Sequence, residues 1–126
     1  MALLGACMSF PAVAEAKRGC QSHACSKRVA SKKCSQRNPR ACIRHAILRY
    51  RLTPWQAQWM YRVARCESGM NPYAKNPSSD ASGLMQFMPT TFRAFGGRGS
   101  IWSAREQARV AAWAVRNGLA SHWECK

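Results

Sequence analysis

An all-α fold is predicted from three features of this 126-residue chain. Two Ser/Thr-x-x-Glu/Gln boxes open apolar runs, apolar side chains recur at helical spacing, and no alternating strand pattern or internal repeat is present. The length suits one domain with a modest core and an arm beside it. The first helix is expected from about residue 39 to 50, where Asn38-Pro39 supplies an N-cap and a proline at the first helical position. Ile43, Ala46, Ile47 and Tyr50 form its apolar face. Thr53-Pro54-Trp55-Gln56 is a capping box for the second helix, with Trp55, Trp59, Met60 and Val63 facing inward and Gly69 and Pro72 as the stop. A loop rich in Asn, Pro, Ser and Gly follows from Asn71 to Gly83. The apolar stretch Leu84 to Phe95 has Pro89 at a helix start and is broken by Gly96-Gly97-Arg98-Gly99. Ser103-Ala104-Arg105-Glu106 opens the last helix, with Ala104, Ala108, Ala111 and Val115 as its buried stripe, Trp113 beside it and Gly118 as its close.

Ahead of these helices the composition differs. Residues 1–16 are apolar and small, lack Lys and Arg, and end in Ala14-Glu15-Ala16, which has the form of a signal-peptidase site. Export is therefore expected. Removing the leader removes one of the seven cysteines, Cys7, and leaves an even set: Cys20, Cys25, Cys34, Cys42, Cys66 and Cys125. In a small exported chain such a set reads as three disulfides, for which about 15 connectivities exist. Cys20-x-x-His23 and Cys42-x-x-His45 could instead hold zinc, but the spacing is too loose for a zinc ribbon, so no metal and no cofactor is expected. Residues 17–40 carry almost no large apolar side chains and form a basic, cysteine-rich arm that only disulfides could staple. No run of roughly 18 apolar residues occurs, so no transmembrane segment is expected.

Twenty Lys and Arg against five acids give a net charge of +15. A field of that sign draws polyanions in, nucleic acid or the anionic polymers of a cell wall. The basic residues are scattered and no nucleic-acid-binding module is visible, so no specific nucleic acid is expected. For an exported chain the wall is the expected partner.

With so few carboxylates, the position of each one matters. Glu67 lies on the last turn of the second helix, four residues after Val63 and seven after Met60, on the apolar stripe. Burial disfavours the ionised form of a carboxyl group, which suits a general acid working near neutrality. Around it run Val63-Ala64-Arg65-Cys66-Glu67-Ser68-Gly69-Met70-Asn71-Pro72 and then Ala81-Ser82-Gly83-Leu84-Met85-Gln86-Phe87-Met88-Pro89-Thr90-Thr91. In this order and spacing the two runs resemble the lytic transglycosylases with a goose-lysozyme-like fold. The end of the chain, Trp123-Glu124-Cys125, is similar to that of the resuscitation-promoting factors.

The resemblance, over residues 53–125, implies a lysozyme-like helical domain spanning 41–126 that binds peptidoglycan glycan strands. The implied reaction cleaves the β-1,4 bond between N-acetylmuramic acid and N-acetylglucosamine, with Glu67 as acid and then base. Closing a 1,6-anhydro ring on the muramyl 6-hydroxyl needs no second carboxylate, whereas most glycosidases use a pair. The resemblance also implies that Gln86 and Met88 contact the sugar and that Cys66 is bridged to Cys125; Tyr73 and Phe87 are candidate cleft walls, although an aromatic here is more often core. That bridge would leave three pairings for Cys20, Cys25, Cys34 and Cys42. A monomer acting outside the cell, at the wall, is the expected form.

The chain departs from the family pattern at two places. Asp80 stands where the second motif usually has Gly, and a later Ala-Tyr-Asn-x-Gly motif is absent, Arg116-Asn117-Gly118 being at best its remnant. Asp80 could serve a hydrolytic muramidase, although a carboxylate in Pro77-Ser78-Ser79-Asp80 also reads as a turn residue. A non-catalytic, basic wall-binding or antimicrobial protein is the other alternative, and the presence of Glu67 argues against it.

Overall fold

A computed structural model describes residues 33–125. The expected leader and most of the arm, Cys20 and Cys25 included, lie outside these residues. The fold is all-α: α1 (Pro39–Tyr50), α2 (Pro54–Ser68), α3 (Pro89–Ala94) and α4 (Ala104–Arg116), followed by a 3-10 turn at Ala120–His122. Among the described residues β-pairing is limited to isolated bridges. α1 packs chiefly against α4, and both touch α2.

Local chemistry sets the helix ends. Asn38 caps α1 by accepting from the Ala41 N–H at 3.4 Å. At α2 the box is complete, because Thr53 Oγ1 accepts from Gln56 N (3.3 Å) and Gln56 Oε1 accepts from Thr53 N (3.0 Å). Gln56 Nε2 also donates to Val115 O at 3.3 Å, which ties the first turn of α2 to the end of α4. The box at α4 is only half formed. Ser103 Oγ accepts from Glu106 N at 3.3 Å, but the Glu106 carboxylate turns away to Arg98 N (2.9 Å) and the Arg109 guanidinium (2.5 Å). A cation one turn along the helix outcompetes a neutral N–H for a carboxylate.

That arrangement holds the Glu106 carboxyl below its usual range, first through the Arg109 hydrogen bond and then through Arg98. The sign follows from linkage. The stabilisation is whole above the unfolded value near about 4.3 and is lost as pH falls through the lower folded value. Thermal melts should hold steady down to about pH 5 and then fall, and Glu106→Gln should remove part of the fall. An unchanged acid limb in that variant would show that other groups govern it.

The core is built from small and aromatic side chains. Ala104, Ala108, Ala111 and Val115 are buried as expected, with Val110, Ala112 and Ala114 beside them. A helix so rich in alanine lets its neighbours approach closely. Trp59, Met60, Val63 and Ala64 line the inner face of α2, whereas Trp55, expected on that face, is 58 % exposed. It lies in the first turn. Of the α1 face, Ile43 and Ala46 are buried while Ile47 and Tyr50 are half-buried.

In the run Leu84 to Phe95 the helix starts at Pro89, as expected. Leu84, Met85 and Phe87 are buried in a tight turn closed by paired bonds between Ser82 and Phe87, at 3.0 and 3.1 Å. Proline at the start of α3 needs no N–H partner, so the turn can feed directly into the helix.

The end of the arm belongs with the helices. Cys34 is disulfide-bonded to Cys42 on α1, which fixes one of the open pairings and removes Cys42 from any zinc set. Gln36 reaches α4, its Nε2 donating to Trp102 O (2.7 Å) and its Oε1 accepting from Ala104 N (2.5 Å). It thereby satisfies an N–H in the first turn of α4 that the chain's own cap does not reach.

Candidate active site

Glu67 is half-buried, one residue before the end of α2. Gly69 follows in the left-handed conformation, φ 60°, and Met70 continues it at φ 67°. The helix therefore ends abruptly and the chain turns away, so the carboxyl group stays at the helix end. Its neighbour Ser68 donates to Leu84 O at 2.7 Å, with Ala64 O at 3.0 Å, joining the end of α2 to the second motif. On another side Cys66 is disulfide-bonded to Cys125, and Cys125 N donates to Glu67 Oε1 at 3.4 Å. The C-terminal segment thus closes over this end of α2.

The same segment clamps the motif. Trp123 is buried, and its indole Nε1 donates to Met85 O at 2.7 Å. Its ring meets Trp59 edge to face at 5.0 Å and Phe87 at 5.1 Å. The Cys66–Cys125 ring spans a sequence separation of 59, and a crosslink of that span contributes about 4 kcal/mol in the chain-entropy model. Replacing both cysteines with serine should lower stability by roughly 3 to 4 kcal/mol in urea titrations. A loss under about 1 kcal/mol would mean that the Trp123 contacts alone hold the segment.

The motif turn rests on Gln107 of α4. This fully buried side chain donates through Nε2 to Ser82 O (2.7 Å) and Ile101 O (2.5 Å), and its Oε1 accepts from Met85 N (2.6 Å). Gly83 sits against it at φ 83°, where a Cβ would run into the Gln107 amide, so only glycine fits. Gln86, at φ 49°, adopts a left-handed conformation that is uncommon for a side-chain-bearing residue and costs roughly 1 kcal/mol or more. Its Nε2 donates to Ala74 O and Gly83 O, both at 2.9 Å, which holds the strained residue in place.

Gln86, Phe87 and Met88 are brought together at a small cleft of about 60 Å3, completed by Thr91, His122 and Trp123. Met88 is 40 % exposed and Gln86 half-buried, so both present atoms to solvent. Phe87 lines the cleft from beneath. It is 2 % exposed and packs against Phe92, Phe95 and Trp123, which makes it a core support beneath the cleft. Tyr73 is 63 % exposed on the loop after α2 and does not line that cleft. Asp80 is exposed in the loop 75–80, beside a separate concavity of about 560 Å3. Of the other carboxylates, Glu106 is committed to Arg109 and Glu124 is exposed.

Sequence reasoning missed Gln107, Ser68 and Gln36, since a polar residue in a helix or turn gives no local sign of burial. Trp123 alone carried a signal, as a large aromatic next to a cysteine.

Residues 41–116 match the family described as Transglycosylase SLT domain. This chain belongs to that family. The match takes in α1, α2, the motif turn, α3 and α4, with Glu67, Gln86, Phe87 and Met88 inside it. Membership makes the chain, at the level of the family, a peptidoglycan transglycosylase-type glycosidase that binds peptidoglycan. The clamp from Trp123 to Cys125 lies beyond the match. No curated protein and no solved structure matches the chain. No helix among the described residues is long and apolar enough to cross a membrane.

Proposed function

We propose that this transglycosylase domain cuts the β-1,4 bond between N-acetylmuramic acid and N-acetylglucosamine, with Glu67 as its acid and base. One observation carries the reading: a half-buried carboxyl group at the abrupt end of α2, joined through Ser68 and Leu84 to the Met85–Met88 turn. In the first half of the reaction the protonated Glu67 gives its proton to the leaving glycosidic oxygen. In the second half the carboxylate takes the proton of the muramyl 6-hydroxyl, which attacks the anomeric carbon and closes the 1,6-anhydro ring. One carboxylate thus serves both halves, with the proton gained in the second restoring the first. Gln86, with Nε2 bound to backbone carbonyls and Oε1 without a hydrogen bond among the described residues, and Met88 beside it would hold the sugar.

The action is extracellular, at the wall. Lys17, Arg18, Lys27 and Arg28 of the arm add attraction to anionic wall polymers, and the working form is a monomer. Replacing these four with alanine should weaken binding to purified sacculi and flatten its salt dependence, because such attraction is screened over about 10 Å at 0.1 M salt. Turnover of short soluble glycans should change little. Equal binding by the variant at low salt would remove the arm's anchoring role.

The functional test is release of soluble muropeptides from purified sacculi by the purified chain. Release is expected for the wild type and equally for Asp80→Asn. A wild type that binds sacculi but releases nothing would contradict the enzymatic reading and favour a wall-binding protein. Loss of release in Asp80→Asn would favour a hydrolytic muramidase with two carboxylates.

A further inference from the structure

A further concavity, whose Phe95 backs onto Phe87 of the motif turn, combines fixed charge with an aromatic floor. It measures about 580 Å3 and is bounded by Arg49 at the end of α1, Phe95 and Arg98 after α3, and Glu106, Arg109 and Trp113 of α4. Phe95 and Trp113 are half-buried, with ring centroids 5.7 Å apart. Arg109 is anchored by Glu106 at 2.5 Å and by Gly96 O at 2.6 Å, so the one carboxylate of the site is already neutralised. Arg49 and Arg98 are exposed and form no ion pair among the described residues. The local surplus is positive, with three guanidinium groups against one carboxylate beside apolar rings. An adjoining concavity of about 190 Å3 shares Arg49 and Arg109 and adds His45 and Arg105, which extends the basic surface along the α1–α4 seam.

We propose that the concavity between Arg49, Arg98 and Trp113 is an accessory binding site for a sugar or polyol unit that carries an oxyanion. Guanidinium groups match phosphate and carboxylate oxygens through paired donors. Aromatic rings offer an apolar surface to the C–H side of a sugar. In a peptidoglycan-acting protein two sources supply this chemistry: phosphodiester wall polymers, and the muramyl carboxylates of the glycan. This naming of sources rests on the family; the site itself does not depend on Glu67 acting as a catalyst. Occupation would hold the domain on the wall while a glycan strand passes through the cleft.

The test is a two-dimensional NMR titration of the full, disulfide-bonded chain with three probes. N-acetylglucosamine 1-phosphate and N-acetylmuramic acid carry oxyanions; N-acetylglucosamine is the neutral control. We expect shifts at the Trp113 indole and at the Gly96 and Arg98 amides, and binding of at least one oxyanion probe about tenfold tighter than the neutral sugar, equivalent to about 1.4 kcal/mol. Tighter binding of the phosphate points to the wall polymer, and of the carboxylate to the glycan. The Arg49→Ala/Arg98→Ala variant should lose that preference and keep its fold, since the Arg98 hydrogen bond to Glu106 is made by the backbone N–H, which alanine retains. If alanine disturbs the fold, Arg49→Gln/Arg98→Gln serves the same purpose. In Glu67→Gln the shifts at the Trp113 indole and at the Gly96 and Arg98 amides should persist whatever changes at the cleft, so failure of this site and failure of the catalytic assignment are separable. The proposal is overturned by an absence of preference over the neutral sugar, by shifts confined to other residues, or by unchanged binding in the double variant. It is equally overturned if a short oligonucleotide displaces the sugar probes with the affinity of an unspecific polyanion.

Discussion

Glu67→Gln is expected to lower muropeptide release from purified sacculi by at least about a hundredfold, the scale on which removal of a general acid–base group acts. The amide preserves shape and can keep the contact with Cys125 N, but it cannot give up a proton to the leaving oxygen. Nothing nearby replaces it. Glu106 is held by Arg109 and Arg98, Glu124 is exposed, and Asp80 stands on an exposed loop beside a different concavity. Helicity and sacculus binding should persist, because the Ser68–Leu84 bond and the Cys66–Cys125 bridge do not involve the carboxyl group. A variant that kept more than about a tenth of the wild-type rate would be incompatible with a role of this size for Glu67.

The second large effect is expected at Gln107. Gln107→Leu keeps most of the volume but strands the buried Met85 N and the part-buried Ile101 O, and takes one of two donors from Ser82 O, which keeps Phe87 N. An unsatisfied buried polar group costs about 1 to 3 kcal/mol, so the variant should lose roughly 3 kcal/mol or more. For a domain of this size that lowers the melting temperature by more than about 10 °C. Because the same bonds set the turn that carries Gln86 and Met88, activity measured below the melting point should fall as well. A loss under about 1 kcal/mol would show that water or a backbone shift can take over these partners.

What was legible in the sequence was chiefly what is decided locally. Asn38 and Thr53 cap their helices with partners three residues away, so the starts of α1 and α2 follow from neighbouring residues alone. The place of Glu67 on the last turn of α2 follows from the same registers. The rest involves distant partners. Glu106 completes no box because Arg98 and Arg109 reach it. Phe87 lines the cleft, and its enclosure by Trp123, far along the chain, shows only in the fold. The pairing of Cys34 with Cys42 could not be told by spacing from those with Cys20 or Cys25, and Gln36 shows its attachment to α4 only in three dimensions.

The central claim, a single carboxylate that closes an anhydro ring, is tested most directly by mass spectrometry of the muropeptides released from sacculi. Transfer of the glycosyl bond to the muramyl 6-hydroxyl leaves a 1,6-anhydro end, lighter by one water than the reducing end that hydrolysis leaves. The account predicts anhydro-muropeptides as the main product of the wild type and of Asp80→Asn, and none from Glu67→Gln. Reducing ends as the main product would contradict it, because water, and with it a second base, would then have to take part.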